Sequence, residues 1–186
     1  MTVRLISTTT EPVTLAEAKA TAVIVTSDDD SMISNILIPA ARRAAEQETG
    51  RSLALSTWEV WLDAFPDEIE LPYPPILAIS EVTYVDPNGV TQTLSPSAYS
   101  LDARSEPGWL LPAFGTAWPA TKEIANAVKV RYTAGYGADC PAEVKLWILA
   151  QVHHFYDNRS AVLAGTVAAT SSLYLDSLLD RARVYA

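Results

Sequence analysis

The feature that most constrains this chain is a double change of hydrophobic period. Between Ser27 and Gly50 apolar residues recur every three or four positions, from Ser56 to Thr133 runs of every-second-position spacing dominate, and after Pro141 the helical spacing returns. A helix buries one stripe and a strand buries one face, so neither kind of stretch can adopt the other structure without exposing much of its apolar surface. The pattern predicts an α+β fold. Helical residues 1–55 and 134–159 flank an antiparallel β insertion at 56–133, and an arm with a terminal helix occupies 160–186. At 186 residues the whole chain is expected to be one folding unit.

Local signals refine this outline. In "EPVTLAEAKA" Thr14 and Glu17 form a capping box that opens a helix over Leu15 to about Thr21, ended by the β-branched "TAVIVT". A second helix starts at "SDDDSM", with Ser27 or Asp28 as cap, and its stripe of Met32, Ile33, Ile36, Leu37, Ala40, Ala41 and Ala44 runs until Gly50. Pro39 lies inside that helix and predicts a kink, because it cannot donate to the carbonyl of Asn35. In the β insertion, Trp58, Val60 and Leu62 alternate with Glu59, Trp61 and Asp63, and Val128, Val130 and Tyr132 alternate with Lys129 and Arg131. "DPNG" at 86–89 predicts a hairpin turn, and the proline-rich surroundings of "EIEL" predict an edge strand. Residues 102–123 read as a long loop with a short strand at Trp109 to Leu111. Pro141 suits the first turn of a helix with Val144, Ile148, Val152 and Phe155 along one stripe.

Composition narrows function. Twenty-two acidic against thirteen basic residues give a formal charge of −9, which repels polyanions, and no basic patch counters it, so tight nucleic-acid binding is not expected. No apolar run reaches membrane-spanning length, the N-terminus lacks a signal-peptide layout, and one cysteine makes no intrachain disulfide. A chain synthesised in the cytoplasm, with no membrane partner, is expected.

The rarest chemistry sits in one window: Cys140, His153 and His154 are the only cysteine and histidines. Helical rise of about 1.5 Å per residue separates the cysteine from the histidines by roughly 20 Å, and adjacent histidines diverge by about 100° around the axis, so neither a dyad nor a metal pair forms within one chain. "AGYGAD" lacks the residues of a phosphate loop and reads as a positive-φ turn, and "DDD" at 28–30 reads as helix capping. No catalytic, cofactor or metal residues are expected. The small-residue arm followed by "SSLYLDSLLDRARVYA" predicts an amphipathic terminal helix with little of its own domain to pack on. Tyr174, Leu175, Leu178, Leu179, Arg181, Arg183 and Tyr185 are its candidate interface residues.

Taken in order, "EPVTLAEAKA", the helix ending "ETGR", the "LP-PP" strand entry with the "YVD-G" hairpin, and "AGYG" before a proline-started helix ending "DNR" resemble the head-to-tail connector (portal adaptor) family of tailed phages and gene transfer agents. The likeness runs over nearly the whole chain. It implies a helical bundle with an inserted β domain, assembled as a homo-oligomeric ring, commonly a dodecamer, in the neck of the virion. The ring would dock on the portal protein and on a stopper or tail-completion protein, and pass DNA through its lumen without sequence-specific binding. The helices at 28–49 and 141–158 would form the ring wall, and residues 172–186 would contact the portal or a neighbouring subunit. Two rivals stand beside it: another neck or tail component, such as a stopper or tail terminator, and an enzyme that joins Cys140 and His154 across a subunit interface.

Overall fold

The computed structural model describes residues 1–158 and 177–184. The described residues divide into two compact units, one of residues 1–9 and 55–135, the other of residues 10–54, 136–158 and 177–184. Its helices and antiparallel sheets make the predicted α+β class.

The first unit is built of strands β1 (Thr2–Thr10), β2 (Leu55–Leu62), β3 (Ile69–Leu71), β4 (Ile76–Val85), β5 (Thr91–Thr93), β6 (Tyr99–Asp102), β7 (Gly108–Pro112) and β8 (Val128–Ala134). Five of them form a sheet in the order β1-β2-β8-β4-β5, and three form a second sheet in the order β3-β7-β6. Central β8 pairs antiparallel with β2 and β4, so that Val60, Val130 and Val82 share one row. These valines, with Val128 and Tyr132, meet Ile69, Leu71 and Leu110 of the second sheet in one apolar core. Close approach is needed at Gly108, where a Cβ would sit 2.7 Å from Ile76 Cγ1. Tyr132 is fully buried and donates its hydroxyl to the Pro72 carbonyl at 2.7 Å, and burial holds its phenol well above the ordinary range.

The alternation read for β2 and β8 holds, "EIEL" forms edge strand β3, and "DPNG" makes the turn between β4 and β5. Asp86 accepts from the amides of Val90 and Asn88, which holds its carboxyl below the usual range, and Gly89 takes φ 85°. Residues 1–55 are not wholly helical, however. "TVRLISTTT" forms β1, whose β-branched residues fit a strand and whose threonines bind its neighbour: Thr9 donates to the Leu55 carbonyl at 2.9 Å. The short strand expected at Trp109 to Leu111 is present as β7 (Gly108–Pro112), the central strand of its sheet.

The second unit packs α1 (Leu15–Thr21), α2 (Asp30–Met32), a π-helical turn (Ile33–Leu37), α3 (Ile38–Thr49) and α4 (Ala142–Asp157). The Thr14–Glu17 capping box is present, and Gly50 ends α3 in the left-handed region at φ 69°. Its core holds Ile33, Ile38, Ala41, Ala45, Val144, Trp147, Ile148 and Val152.

One expectation needs correction here, and two gain detail. The acids of "DDD" do not cap by side chain: Asp29 accepts from the Tyr156 hydroxyl at 2.7 Å and Asp30 pairs with Lys19 at 2.6 Å, fastening the helix start to α4 and α1. The kink at Pro39 takes the form of a π turn. Proline crowds the carbonyl four residues back, and one wider turn, in which the Ile38 amide reaches the Ile33 carbonyl, relieves the clash without ending the rod. That extra residue shifts the stripe, so Ile38 rather than Leu37 follows Ile33 into the core, and Ile36 is 60% exposed. Finally, α1 ends in a Schellman motif with valine at the left-handed position: Ile24 N bonds Lys19 O at 2.9 Å, Val23 N bonds Ala20 O at 3.4 Å, and Val23 has φ 55°. Ile24 packs inward while Val23 and Val25 face outward.

Candidate assembly surfaces

The chemically capable window separates as the helical geometry requires. Cys140 is buried just before α4, and burial pushes its thiol up to about 11, away from thiolate reactivity. His153 and His154 are exposed in the last turns, His153 lying 3.4 Å from Asp157 and His154 Nδ1 lying 3.2 Å from the Asn158 amide nitrogen. The acidic neighbour Asp157 thus belongs to His153, at four-residue spacing. Among the described residues no group of three His, Cys, Asp or Glu side chains converges where a metal ion could sit.

The terminal segment behaves differently from an unattached helix. Its described part, residues 177–184, is a turn and a 3-10 helix at Asp180–Ala182, and Leu179 is wholly buried in the core of the helical unit. Arg51, itself buried, donates from Nε to the Ala182 carbonyl at 2.5 Å, and Val184 N bonds the Thr49 carbonyl at 2.8 Å. Arg183 pairs with Glu48 at 3.3 Å and Asp180 at 3.2 Å. Of the candidate interface residues, then, Leu179 and Arg183 are engaged with their own chain. Leu178 and Arg181 border an open cleft of about 300 Å³ with Glu143 and Ser177. Tyr174, Leu175 and Tyr185 lie outside the described residues.

In the same unit, Arg42 is buried between two carboxylates, donating from Nε to Glu11 at 2.7 Å and from Nη1 to Glu46 at 2.5 Å. Glu46 also accepts the Leu53 amide at 2.9 Å, so one charged network ties the entry of α1, the body of α3 and the exit toward β2. Within "ARRAAEQETG" the four-residue spacing of Arg42 and Glu46 is a local signal for half of it, whereas Glu11 lies 31 residues from Arg42 and gives none.

The five-stranded sheet bears a second polar network on the face turned from its core. Trp61 Nε1 donates to Glu59 at 3.2 Å, and Arg131 forks onto Glu59 at 2.7 and 2.9 Å. Glu81 approaches Arg131 at 3.9 Å and Lys129 at 3.6 Å, and Lys129 closes the circuit 5.7 Å from the centroid of the Trp61 ring. Two cations and two carboxylates leave this patch neutral. Trp61 and Lys129 also line a recess of about 170 Å³ with Thr83, Val85 and Thr91.

The architecture of this α+β chain is shared with chains of gene transfer agent particles. The chain superposes on a chain of the neck of an empty gene transfer agent particle computed with C6 symmetry, with a TM-score of 0.80 and 20% identity over 100% of this chain and 97% of that one. It superposes on a chain of the virion of a native gene transfer agent particle at 0.79 and 19%, and on one from a native neck computed with C12 symmetry at 0.75 and 21%, with the same coverage. No protein-family model matches the sequence, and none of the curated proteins does.

Proposed function

We propose that this chain is a structural neck component, the head-to-tail connector of a tailed-phage or gene-transfer-agent particle. Copies form a ring beneath the portal, hold the stopper or tail-completion protein on the other side, and pass DNA through the lumen. The observation that carries this reading is the end-to-end likeness of fold, covering all of this chain, to neck chains of particles computed with C6 and C12 symmetry. The chemistry is compatible with it: a chain of formal charge −9, whose Arg42, Arg131, Lys129 and Lys19 face carboxylates, gives a sliding phosphate backbone no net attraction. Synthesis in the host cytoplasm and residence at the head-tail junction follow from the role.

Within this reading the terminal segment contacts the portal or an adjacent subunit through exposed Arg181 and the uncovered part of Leu178, while Leu179 anchors it. The test is to mix purified protein with the portal of the same particle and read mass by native mass spectrometry and shape by negative-stain imaging. A stoichiometric ring bound to the portal is expected. A protein that stays monomeric and ignores the portal refutes the proposal.

A further inference from the structure

Phe114 is the most exposed large apolar residue among those described, at 107% relative accessibility. It is held there by a tight turn following β7. Thr116 N bonds the Ala113 carbonyl at 2.9 Å, Thr116 Oγ1 bonds it again at 2.7 Å, and Gly115 takes φ 75° with nothing within 4 Å of a built Cβ. A phenyl ring fixed in open water by a doubly bonded turn contributes nothing to its own fold.

We propose that Phe114 is a knob that enters the Trp61–Lys129 recess of a second copy of this chain, forming one subunit-to-subunit contact of the ring. The inference rests on the ring reading given above and deepens it. Size agrees: the recess is about 170 Å³, and an apolar cavity of about 150 Å³ holds a benzene ring. Chemistry agrees too, because the Trp61 ring and the Lys129 ammonium, with Val85 beside them, offer stacking, cation–π and apolar contact to a phenyl face.

Charge selects the occupant. Residues 107–121 carry no charged side chain, and the cations of the recess are already balanced by Glu59 and Glu81. Copies of a −9 chain repel, and a neutral tip meeting a neutralised patch is where that repulsion is least. A polyanion would call for basic residues beside the phenylalanine, and residues 107–121 hold none. Symmetry supplies the last step: a closed ring is heterologous, so each copy must present two different complementary surfaces. Knob and recess are such a pair, and both belong to the β unit.

The experiment compares wild type, Phe114→Ser and Phe114→Leu for ring assembly, with or without portal, by native mass spectrometry, and oxidises a Phe114→Cys/Thr91→Cys double variant. Phe114→Ser is expected to keep the wild-type melting temperature and to need roughly ten- to a hundredfold more protein to assemble, with Phe114→Leu between. The cysteine pair is expected to give a ladder of disulfide-linked multimers that neither single variant gives. Rings from Phe114→Ser at wild-type concentration, or no ladder from rings of the double variant, overturn the knob and leave the ring reading standing. Wild type that never forms rings overturns both.

Discussion

Leu179→Ala measures whether the end of the chain belongs to the helical core. The side chain is fully buried among residues of that core, and its segment is tied by the Arg51–Ala182 and Val184–Thr49 hydrogen bonds. Truncating a buried leucine costs about 2–5 kcal/mol, the larger values arising where the cavity cannot collapse. A segment held at both its 3-10 turn and its last described residue has little freedom to collapse, so a loss of about 3 kcal/mol is expected. The loss cannot exceed the free energy of undocking the segment, because beyond that point the chain simply lets go. Urea unfolding followed by the helical far-UV signal reports the helical unit, and Leu178→Ala, only half-buried, serves as the comparison with a loss below about 1 kcal/mol. A loss under about 1 kcal/mol for Leu179→Ala, with an unchanged urea slope, would refute the claim that this segment is core. It would mean that the segment undocks readily.

Arg42→Ala should destabilise by about 2–3 kcal/mol, somewhat below the usual cost of orphaning a buried carboxylate because Glu11 is 28% exposed, and Arg131→Ala should cost about as much, because it strips two hydrogen bonds from Glu59, whose side chain is only 6% exposed. Val23→Gly should raise stability by about 0.5–1 kcal/mol, since relief of left-handed valine backbone outweighs the added chain entropy and the outward side chain gives up little; thermal melts decide the sign. Cys140 should resist an aromatic disulfide reagent at pH 8 in the folded protein and react on unfolding. Its thiol stays protonated to about 11 when folded but ionises near 9 when unfolded, so the unfolded chain binds fewer protons in between and stability should fall as pH rises from about 9 to about 11. Cys140→Ala should reduce that slope, most clearly near pH 9, leaving the part that the buried Tyr132 phenol contributes from about pH 10 upward.

The elements legible in the sequence were those fixed by neighbours in the chain. The Thr14–Glu17 box, the Gly50 stop, the Asp86–Gly89 turn and the alternation of β2 and β8 each depend on residues a few positions apart. Strand β1 was missed because its polar threonines and serine show no clean alternation, and what makes it a strand is the distant β2. The buried end of the chain was missed for a similar reason. An amphipathic pattern records that a face must be covered, not by what, and Arg51 and Thr49 lie more than 130 residues from the groups they hold. Phe114 carries no local signature beyond an aromatic residue before glycine in an uncharged stretch, so it acquires meaning only from its exposure.

The π turn bears on how this chain is to be aligned with others. Five residues, Ile33 to Leu37, occupy a turn that a regular helix closes with four, so it is equivalent to an insertion of one residue absorbed in place. A relative whose helix is regular would lack one residue here, and a comparison that forbids a gap inside a helix would misplace every position from Ile38 to Thr49 by about 100° around the axis. Removing Ile36 together with Pro39→Ala would bring Ile33 and Ile38 to the four-residue spacing of an ordinary helix while keeping both on the buried side. The length of this helix is therefore a character that can change between relatives without changing the surface it packs.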